Sequence, residues 1–499
     1  MKLLFFSAMI AAATLSQAQI SQWENEIVYQ IFPRSYRDSN GDHVGDFRGI
    51  TQELGFIHEL GFTAILINPI FESRFYHNYF ADNFLKADPK FGTNRDFFEL
   101  VRQAHAKKMK VILDMEVQYV ADLHPWFRGM RDARSPYAGF IWRDGSRLFG
   151  DMLPGYDGQT IGFATLNPDN RILRAKVFDI FRYWAAPDDN PGHGVDGFRI
   201  DHMMDDLDSE HVKTGMLTNF WLPIETGIRS LNPKIFFLAE QSDWGLGADI
   251  FRKAKVDSVY AIPLRNAWIT FDKSTIERAI AATYSSTPQT RTQVIFIENH
   301  DVERYASVVK RDPDLMRLGA LFNLTLKGTP MVYYGQELGM AGIQGKWRSD
   351  ANDIPVRLAY RWTKKVEGKG SADFYRGSGP WAKTGFVRDG DGVSVEEEIP
   401  DPGSLINFYK RLTHLRVSLP ALRTGSISLV EGQNSAVLAY ERKLGRQKIR
   451  IYLNLSDARQ SLDLPSGSIA ARDLWTGKLL GKRVQYLKPH DFLVVDVSA

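Results

Sequence analysis

The sequence predicts an α/β fold: a closed (β/α)8 barrel of parallel strands, a domain inserted after strand 3, and a C-terminal antiparallel β-sandwich domain. Three observations carry that expectation. From Glu26 onward, short continuously apolar segments alternate with amphipathic helical ones, the pattern of a parallel sheet covered by helices. About eight such apolar segments follow one another, which fits a closed barrel better than an open sheet. From about Gly425 the pattern changes to short alternating strands such as Val437–Glu441 and Ile449–Leu453, which marks a separate antiparallel unit.

Taken in order, the first strand is the apolar run Ile27–Phe32, ended by Pro33. Leu54, Ile57 and Leu60 then recur at helical spacing, and Gly61 supplies the stop. Ala64–Ile67 is the second strand. Thr93 and Asp96 are spaced as a capping box ahead of a helix running to about Lys108. Lys110–Asp114 reads as the third strand, Arg171–Trp184 as a helix, Gly194–Asp201 as the fourth strand and Ile235–Glu240 as the fifth. Val256–Ile262, Val294–Ile297 and Met331–Tyr334 complete the set. Two stretches break the rhythm. Asp114–Asn170 is aromatic, glycine-rich and too long for an ordinary connection, so it predicts an inserted domain over 118–167. Gly339–Gly403 follows the eighth strand, before a closing helix at Ser404–Val417. The barrel therefore spans 19–117 and 168–424, and the last domain 425–499.

Composition bounds the partners. A net charge of +3 over 499 residues gives no reason to expect nucleic acid. Met1-Lys2, the apolar run Leu3–Leu15 and Ser16-Gln17-Ala18 read as a signal peptide over 1–18, too short for a membrane anchor. The mature chain is thus expected in the periplasm or outside the cell. Without cysteine it has no disulfides, so packing and bound ions must supply its stability. Oligomeric state is not readable from the sequence.

Strand ends carry the chemistry. The third ends at Asp114, the fourth at Asp201 and the fifth at Glu240, while the seventh runs into Glu298-Asn-His-Asp301. The C-terminal ends of barrel strands converge on one pocket, where crowded carboxylates separate into acid and base roles. Arg199 and Asp201 are two apart, so on a strand they share one side and can pair. Paired carboxylates of this kind suit glycosidic bond cleavage.

The chain from about Trp23 to its end resembles the α-amylase family of glycoside hydrolases (family 13). It is nearest in character to the group of oligo-1,6-glucosidases, neopullulanases and intermediate α-amylases. Gly197-Phe-Arg-Ile-Asp201 is similar to the family's nucleophile strand and Phe237-Leu-Ala-Glu240 to its acid/base strand. Glu298-Asn-His-Asp301 resembles the third-acid segment, Gly328–Glu337 the eighth strand, and Val28–Ser35 the first. The resemblance implies Asp201 as nucleophile, Glu240 as general acid and then base, and Asp301 as the group that binds sugar hydroxyls and favours a distorted ring. It implies Arg199 as the orienter of Asp201, and His300, His77 and Tyr79 as contacts to the reacting sugar. Asp353 and Arg357 are candidates for further sugar contacts. Retention of anomeric configuration is the implied outcome.

The family's third-strand pattern is Asp-x-Val-x-Asn-His. Here it reads Asp114-Met-Glu-Val-Gln118-Tyr119, so the calcium that the family asparagine helps hold is not expected at Gln118. Tyr119 is expected to take over the sugar contact of the family histidine. A different loop suits a hard cation: Asp38, Asn40, Asp42, Val44 and Asp46 occupy alternate positions of one turn. Relatives among the oligo-1,6-glucosidases and neopullulanases carry calcium in a similar loop, and a structural Ca2+ is expected there.

The resulting expectation is an exported, retaining hydrolase of α-glucosidic bonds in starch or maltooligosaccharides. The alternatives are a glucanotransferase, an α-1,6- or oligosaccharide-specific α-glucosidase, and a catalytically silent starch-binding protein. Intact Asp201, Glu240 and Asp301 argue against the last. Linkage preference and endo or exo action are not readable.

Overall fold

Eight short strands close on themselves: β1 (Val28–Ile31), β2 (Ala64–Ile67), β3 (Lys110–Met115), β4 (Gly197–Met203), β5 (Phe236–Gln241), β6 (Ser258–Tyr260), β7 (Thr292–Ile295) and β8 (Thr329–Tyr333). The computed structural model describes residues 23–498 apart from 131, 146, 466–470 and 482–483. The expected signal peptide, 1–18, lies outside the described residues. Every strand pairs in parallel with the next, and β8 pairs with β1, so order around the barrel equals order along the chain. This is the (β/α)8 barrel that the alternation predicts.

Side chains alternate between two cores, as the two-residue period of a strand requires. In β2, Ile65 and Ile67 pack outward under the helices, while Ala64 and Leu66 face the interior. Ile112, Phe236, Leu238, Val294 and Met331 join that interior layer, and Trp23 stacks on Phe236 at 4.2 Å between centroids. Higher on the same inward faces, the positions become Asp114, Arg199, Asp201 and Glu240, because their neighbours Leu113, Phe198, Ile200 and Ala239 face outward. The barrel interior is therefore apolar toward the N-terminal ends of its strands and charged toward their C-terminal ends. Gly197 stands at the transition. A Cβ there would lie 2.9 Å from the Cβ of Phe236, so only glycine lets β4 and β5 approach this closely.

The outer helices follow from their caps and stripes. Helix Asn94–Ala106 begins at the expected capping box, with Thr93 and Asp96 satisfying each other's backbone N–H, and buries Phe97, Leu100, Val101 and Ala104. Helix Phe47–Glu59 starts at Asp46, whose side chain accepts from Gly49 N, and buries Phe47, Ile50, Leu54 and Ile57.

The insertion between β3 and β4 is a three-stranded antiparallel sheet, with Thr160–Thr165 between Tyr119–Ala121 and Gly150–Pro154. The segment after β8 is irregular, and its 3-10 turn Asp350–Val356 bends over the C-terminal ends of the strands. The last domain pairs Ser426–Leu429, Val437–Leu444, Gln447–Asn454 and Phe492–Asp496 in a four-stranded antiparallel sheet. A two-stranded ribbon, Gln460–Asp463 with Val484–Leu487, closes a second core around Val437, Tyr452, Leu462 and Leu487.

Two buried arginines, one on the barrel's closing helix and one in this last domain, meet at the same turn of the barrel. Arg416, on helix Leu405–Ser418, donates to the carbonyls of Leu324 (2.8 Å) and Gly328 (2.7 Å). Arg442, on the strand Val437–Leu444, donates to those of Thr325 (2.7 Å), Leu422 (2.8 Å) and Gly425 (2.9 Å). Together they saturate the turn that leads from helix Pro313–Thr325 into β8.

Candidate active site

Arg199 organises the C-terminal mouth of the barrel. Its guanidinium is fully buried, donates to Asp114 Oδ1 (2.8 Å) and Glu240 Oε2 (2.7 Å), and pairs with Asp201 Oδ1. Asp301 Oδ2 lies 3.9 Å away. One cation thus ties together the ends of β3, β4 and β5. The register explains how: Arg199 stands opposite Asp114 on β3 and Leu238 on β5. Beyond Ile200 the pairing slips, so that β4 advances from Ile200 to Met203 while β5 advances only from Ala239 to Gln241. This bulge sets both Asp201 and His202 beside Glu240, with His202 at φ 43 and its N–H donating to Glu240 Oε2 (3.2 Å).

A second layer fixes Asp114 and Asp301. Asp114 Oδ2 accepts from Asn68 Nδ2 (2.9 Å) and Tyr79 OH (2.8 Å). His300 takes Gln30 Nε2 at its Nδ1 (2.8 Å), which leaves Nε2–H for Asp301 Oδ2 at 3.0 Å. Tyr79 stacks on His300 with ring centroids 5.6 Å apart and planes 7° off parallel. Arg357 donates from Nη2 to Asp301 Oδ1 (3.0 Å) and Asp353 Oδ2 (3.2 Å), from Nη1 to Tyr76 OH (2.9 Å) and from Nε to the carbonyl of His300 (2.9 Å).

These environments push the carboxyl groups apart. Burial raises Glu240 to about 8; Arg199 opposes the rise, and the charges of Asp201 and Asp301 add to it. Asp201 is buried too, yet Arg199 and His202 outweigh that cost and hold it below the usual carboxylate range. For Asp301, burial is overcome by His300 and Arg357, and its carboxyl lies far below that range. Burial drives the His77 imidazole down to about 3, so it is neutral. At neutral pH the cluster therefore holds an ionised Asp201 beside a protonated Glu240.

The cluster opens into a cavity of about 810 Å³. Among the residues singled out by sequence, His77, Tyr79, Tyr119, Asp201, Glu240, Asp301, Asp353 and Arg357 line it. Arg199 and His300 sit behind this lining and act through the groups they hold. The loop Asp38, Asn40, Asp42, Val44 and Asp46 does not contribute to the lining.

Gln118 and Tyr119 have found work of their own. Gln118 Nε2 donates to the carbonyl of His202 (3.0 Å), tying the end of β3 to the bulge of β4. The Tyr119 hydroxyl donates to Asp208, which also accepts from Thr165 Oγ1 (3.2 Å). This clasp draws the turn Leu207–Ser209 onto the inserted sheet and makes one wall of the cavity. Two further residues line the cavity, of which Trp244 carries no signal in the sequence. Trp244, 40% exposed and held at φ 52, offers a ring at the rim. His202 lines the cavity next to the nucleophile position, and the negative charge of Asp201 raises its imidazole pKa. Other tryptophans offer no open platform: Trp126, Trp142 and Trp362 are buried in the core, and Trp347 meets Trp381 edge-on at 5.7 Å.

Comparison with known proteins places this architecture. The family model described as the α-amylase catalytic domain matches residues 30–215 and 247–425. Alpha-amylase 3 of Dictyoglomus thermophilum is 29% identical over 91% of this chain and 89% of its own. The oligo-1,6-glucosidase of Heyndrickxia coagulans is 26% identical over 89% and 94%. The crystal structure of the α-amylase from H. orenii superposes with a TM-score of 0.78 at 26% identity, covering 94% of this chain and 99% of that one.

Proposed function

The chain belongs to the α-amylase family of glycoside hydrolases, and from that premise we propose that it hydrolyses α-glucosidic bonds of starch or maltooligosaccharides with retention of configuration. The observation that carries the reading is the Arg199 clamp, which holds Asp201 ionised within reach of a Glu240 that remains protonated. In the first step an Asp201 oxygen bonds to the anomeric carbon as the glycosidic C–O bond breaks, and the Glu240 proton passes to the leaving oxygen. In the second step water attacks that carbon and gives its proton to Glu240, and the bonding pair returns to Asp201. Asp301, fixed by His300 and Arg357, is placed to bind sugar hydroxyls. Tyr79 and His77 offer ring surface to the C–H face of a pyranose.

The test is incubation of the chain from Gln19 onward with starch, maltooligosaccharides, pullulan, isomaltose and sucrose, with products followed by proton NMR. Release of the α-anomer first is the expected result. First release of the β-anomer, or no turnover of any of these glucans, would overturn it. Lengthened oligosaccharides would move the assignment from hydrolase to transferase.

A structural Ca2+ in the loop from Asp38 to Asp46 belongs to the same proposal. Asp38 and Asp46 are buried there and take backbone N–H groups of Asn40, Gly41, His43, Ser39 and Gly49, while His43 turns to Asp373 (2.8 Å). The loop thus folds around acidic groups that its own imidazole leaves uncompensated, which fits a hard cation. Among the described residues no group of three or more acidic or imidazole side chains forms a ready-made metal cluster. An ion here would therefore draw on Asn40 and the Val44 carbonyl as well as on Asp38, Asp42 and Asp46. If calcium binds, chelation lowers the unfolding temperature and calcium restores it; an unchanged calorimetric trace, with no calcium found by elemental analysis, would remove the site.

Export to the periplasm or the exterior, by way of residues 1–18, completes the proposal. Among the described residues no helix is long and apolar enough to cross a membrane. An N-terminus at Gln19 on the exported chain is the expected finding; retention of Met1 would count against it.

A further inference from the structure

β3 brings a second carboxyl group to the nucleophile. Parallel pairing sets Arg199 opposite Asp114 and Ile200 opposite Met115, so the next step along both chains brings Glu116 alongside Asp201. Glu116 lies two residues beyond Asp114 and shares its inward face. The Glu116 side chain is buried, 1% exposed, and hydrogen-bonded to the Asp201 carboxyl. Its Oε1 also accepts the Gln118 backbone N–H. Two carboxyl groups in hydrogen-bond contact must share a proton. Arg199 pairs with Asp201, whereas Glu116 forms no ion pair with a cationic side chain among the described residues. The proton therefore belongs to Glu116.

We propose that Glu116 is a positioning residue of the reaction: its buried carboxylic acid donates an O–H hydrogen bond to Asp201, giving the nucleophile a second hold besides Arg199. This inference rests on Asp201 being the nucleophile of the hydrolase described above. The bond favours Asp201 as a carboxylate, both before attack and when water releases it from the glycosyl-enzyme. Around the pair stand Arg199 and His202 from β4, Asp114 from β3, Glu240 from β5, Asp301 from the segment after β7, and Tyr119 from the inserted domain. Burial and the neighbouring Asp201 charge raise the Glu116 carboxyl well above its ordinary range, in keeping with the acid form.

The sign of a pH shift tests the assignment. The acid limb of kcat/KM on a maltooligosaccharide reports ionisation of Asp201. Glu116→Val removes the donor without changing net charge, so the limb moves up by about one pH unit, a tenfold change in acidity. Glu116→Gln keeps an N–H donor and leaves the limb near its wild-type position. Were Glu116 ionised, Glu116→Val would remove a neighbouring anion and shift the limb down. A purely structural role would leave it in place, and either of those results overturns the proposal. So does an equal upward shift in both variants. Carbon-13 NMR of side-chain-labelled glutamate gives a readout independent of turnover and of how well Glu116→Val folds. One carboxyl that stays protonated through neutral pH should vanish in Glu116→Gln, and a Glu116 signal titrating in the ordinary carboxylate range overturns the assignment. No turnover by the wild-type chain would sink the hydrolase reading instead, and the carbon-13 spectrum would then decide Glu116 alone.

Discussion

The floor of the cavity is a buried guanidinium holding Asp114, Asp201 and Glu240; its wall is a phenol, a surface-turn carboxylate and a tryptophan 40% exposed. The floor grows from strands, whose positions the barrel dictates and whose side chains leave little freedom. The wall grows from the inserted sheet and the turn Leu207–Ser209, joined by the clasp of Tyr119 and Thr165 on Asp208, with Trp244 added from the loop after β5. Changes in the floor should therefore strike the chemical step or the fold. Changes in the wall should strike substrate affinity.

That division can be broken from the floor outward. Glu240→Gln keeps the shape and removes the transferable proton, and we expect kcat/KM on maltooligosaccharides to fall about 10²- to 10⁴-fold. Arg199→Met leaves three buried carboxyl groups, Asp201 among them as a carboxylate, without their shared cation, and denaturant unfolding should report a loss of about 3–5 kcal/mol. In the wild-type chain, kcat/KM should decline as pH rises through about 8, because Glu240 must carry its proton to act as acid. A profile flat well beyond that value would separate Glu240 from the acid role. On the wall, Tyr119→Phe loses a hydrogen bond to a carboxylate worth about 1.5–3 kcal/mol. Here KM should rise with kcat largely kept, and unchanged KM and kcat would remove Tyr119 from the substrate site. Trp244→Ala is the mildest change. Loss of one stacking face, about 0.5–1.5 kcal/mol, should raise KM by about two- to tenfold on long oligosaccharides and less on short ones.

The same division explains what the sequence could reveal. Strand ends are visible because an apolar run stopping at Asp114, Asp201 or Glu240 is a local signal, and barrel geometry does the rest. The capping box at Thr93 and Asp96 is equally local, and it forms as expected. Arg357 was legible only as a candidate, since its four partners come from Tyr76, His300, Asp301 and Asp353. The strand Gly150–Pro154 has no clean alternation to announce it, being largely exposed, so the inserted sheet was foreseen as a domain but not as strands. Glu116 shows the limit best. A glutamate two residues past Asp114, where the family pattern has valine, is plain in the sequence. Its contact with Asp201 depends on register between two strands about eighty residues apart, which no local signal encodes.

Arg442, at the base of the last domain, sets how this protein can be divided. Arg442 comes from the final domain, yet it saturates carbonyls of the turn that delivers β8 to its place beside β1. A chain ended at residue 424 would keep every catalytic group and lose that brace, leaving the Thr325 carbonyl buried or newly wet at the foot of a barrel strand. The two units should therefore melt in one transition, and the barrel should not be obtainable as a stable fragment. In evolutionary terms the tail is not an accessory that recombination can exchange freely; a replacement would have to bring its own arginine to the same turn.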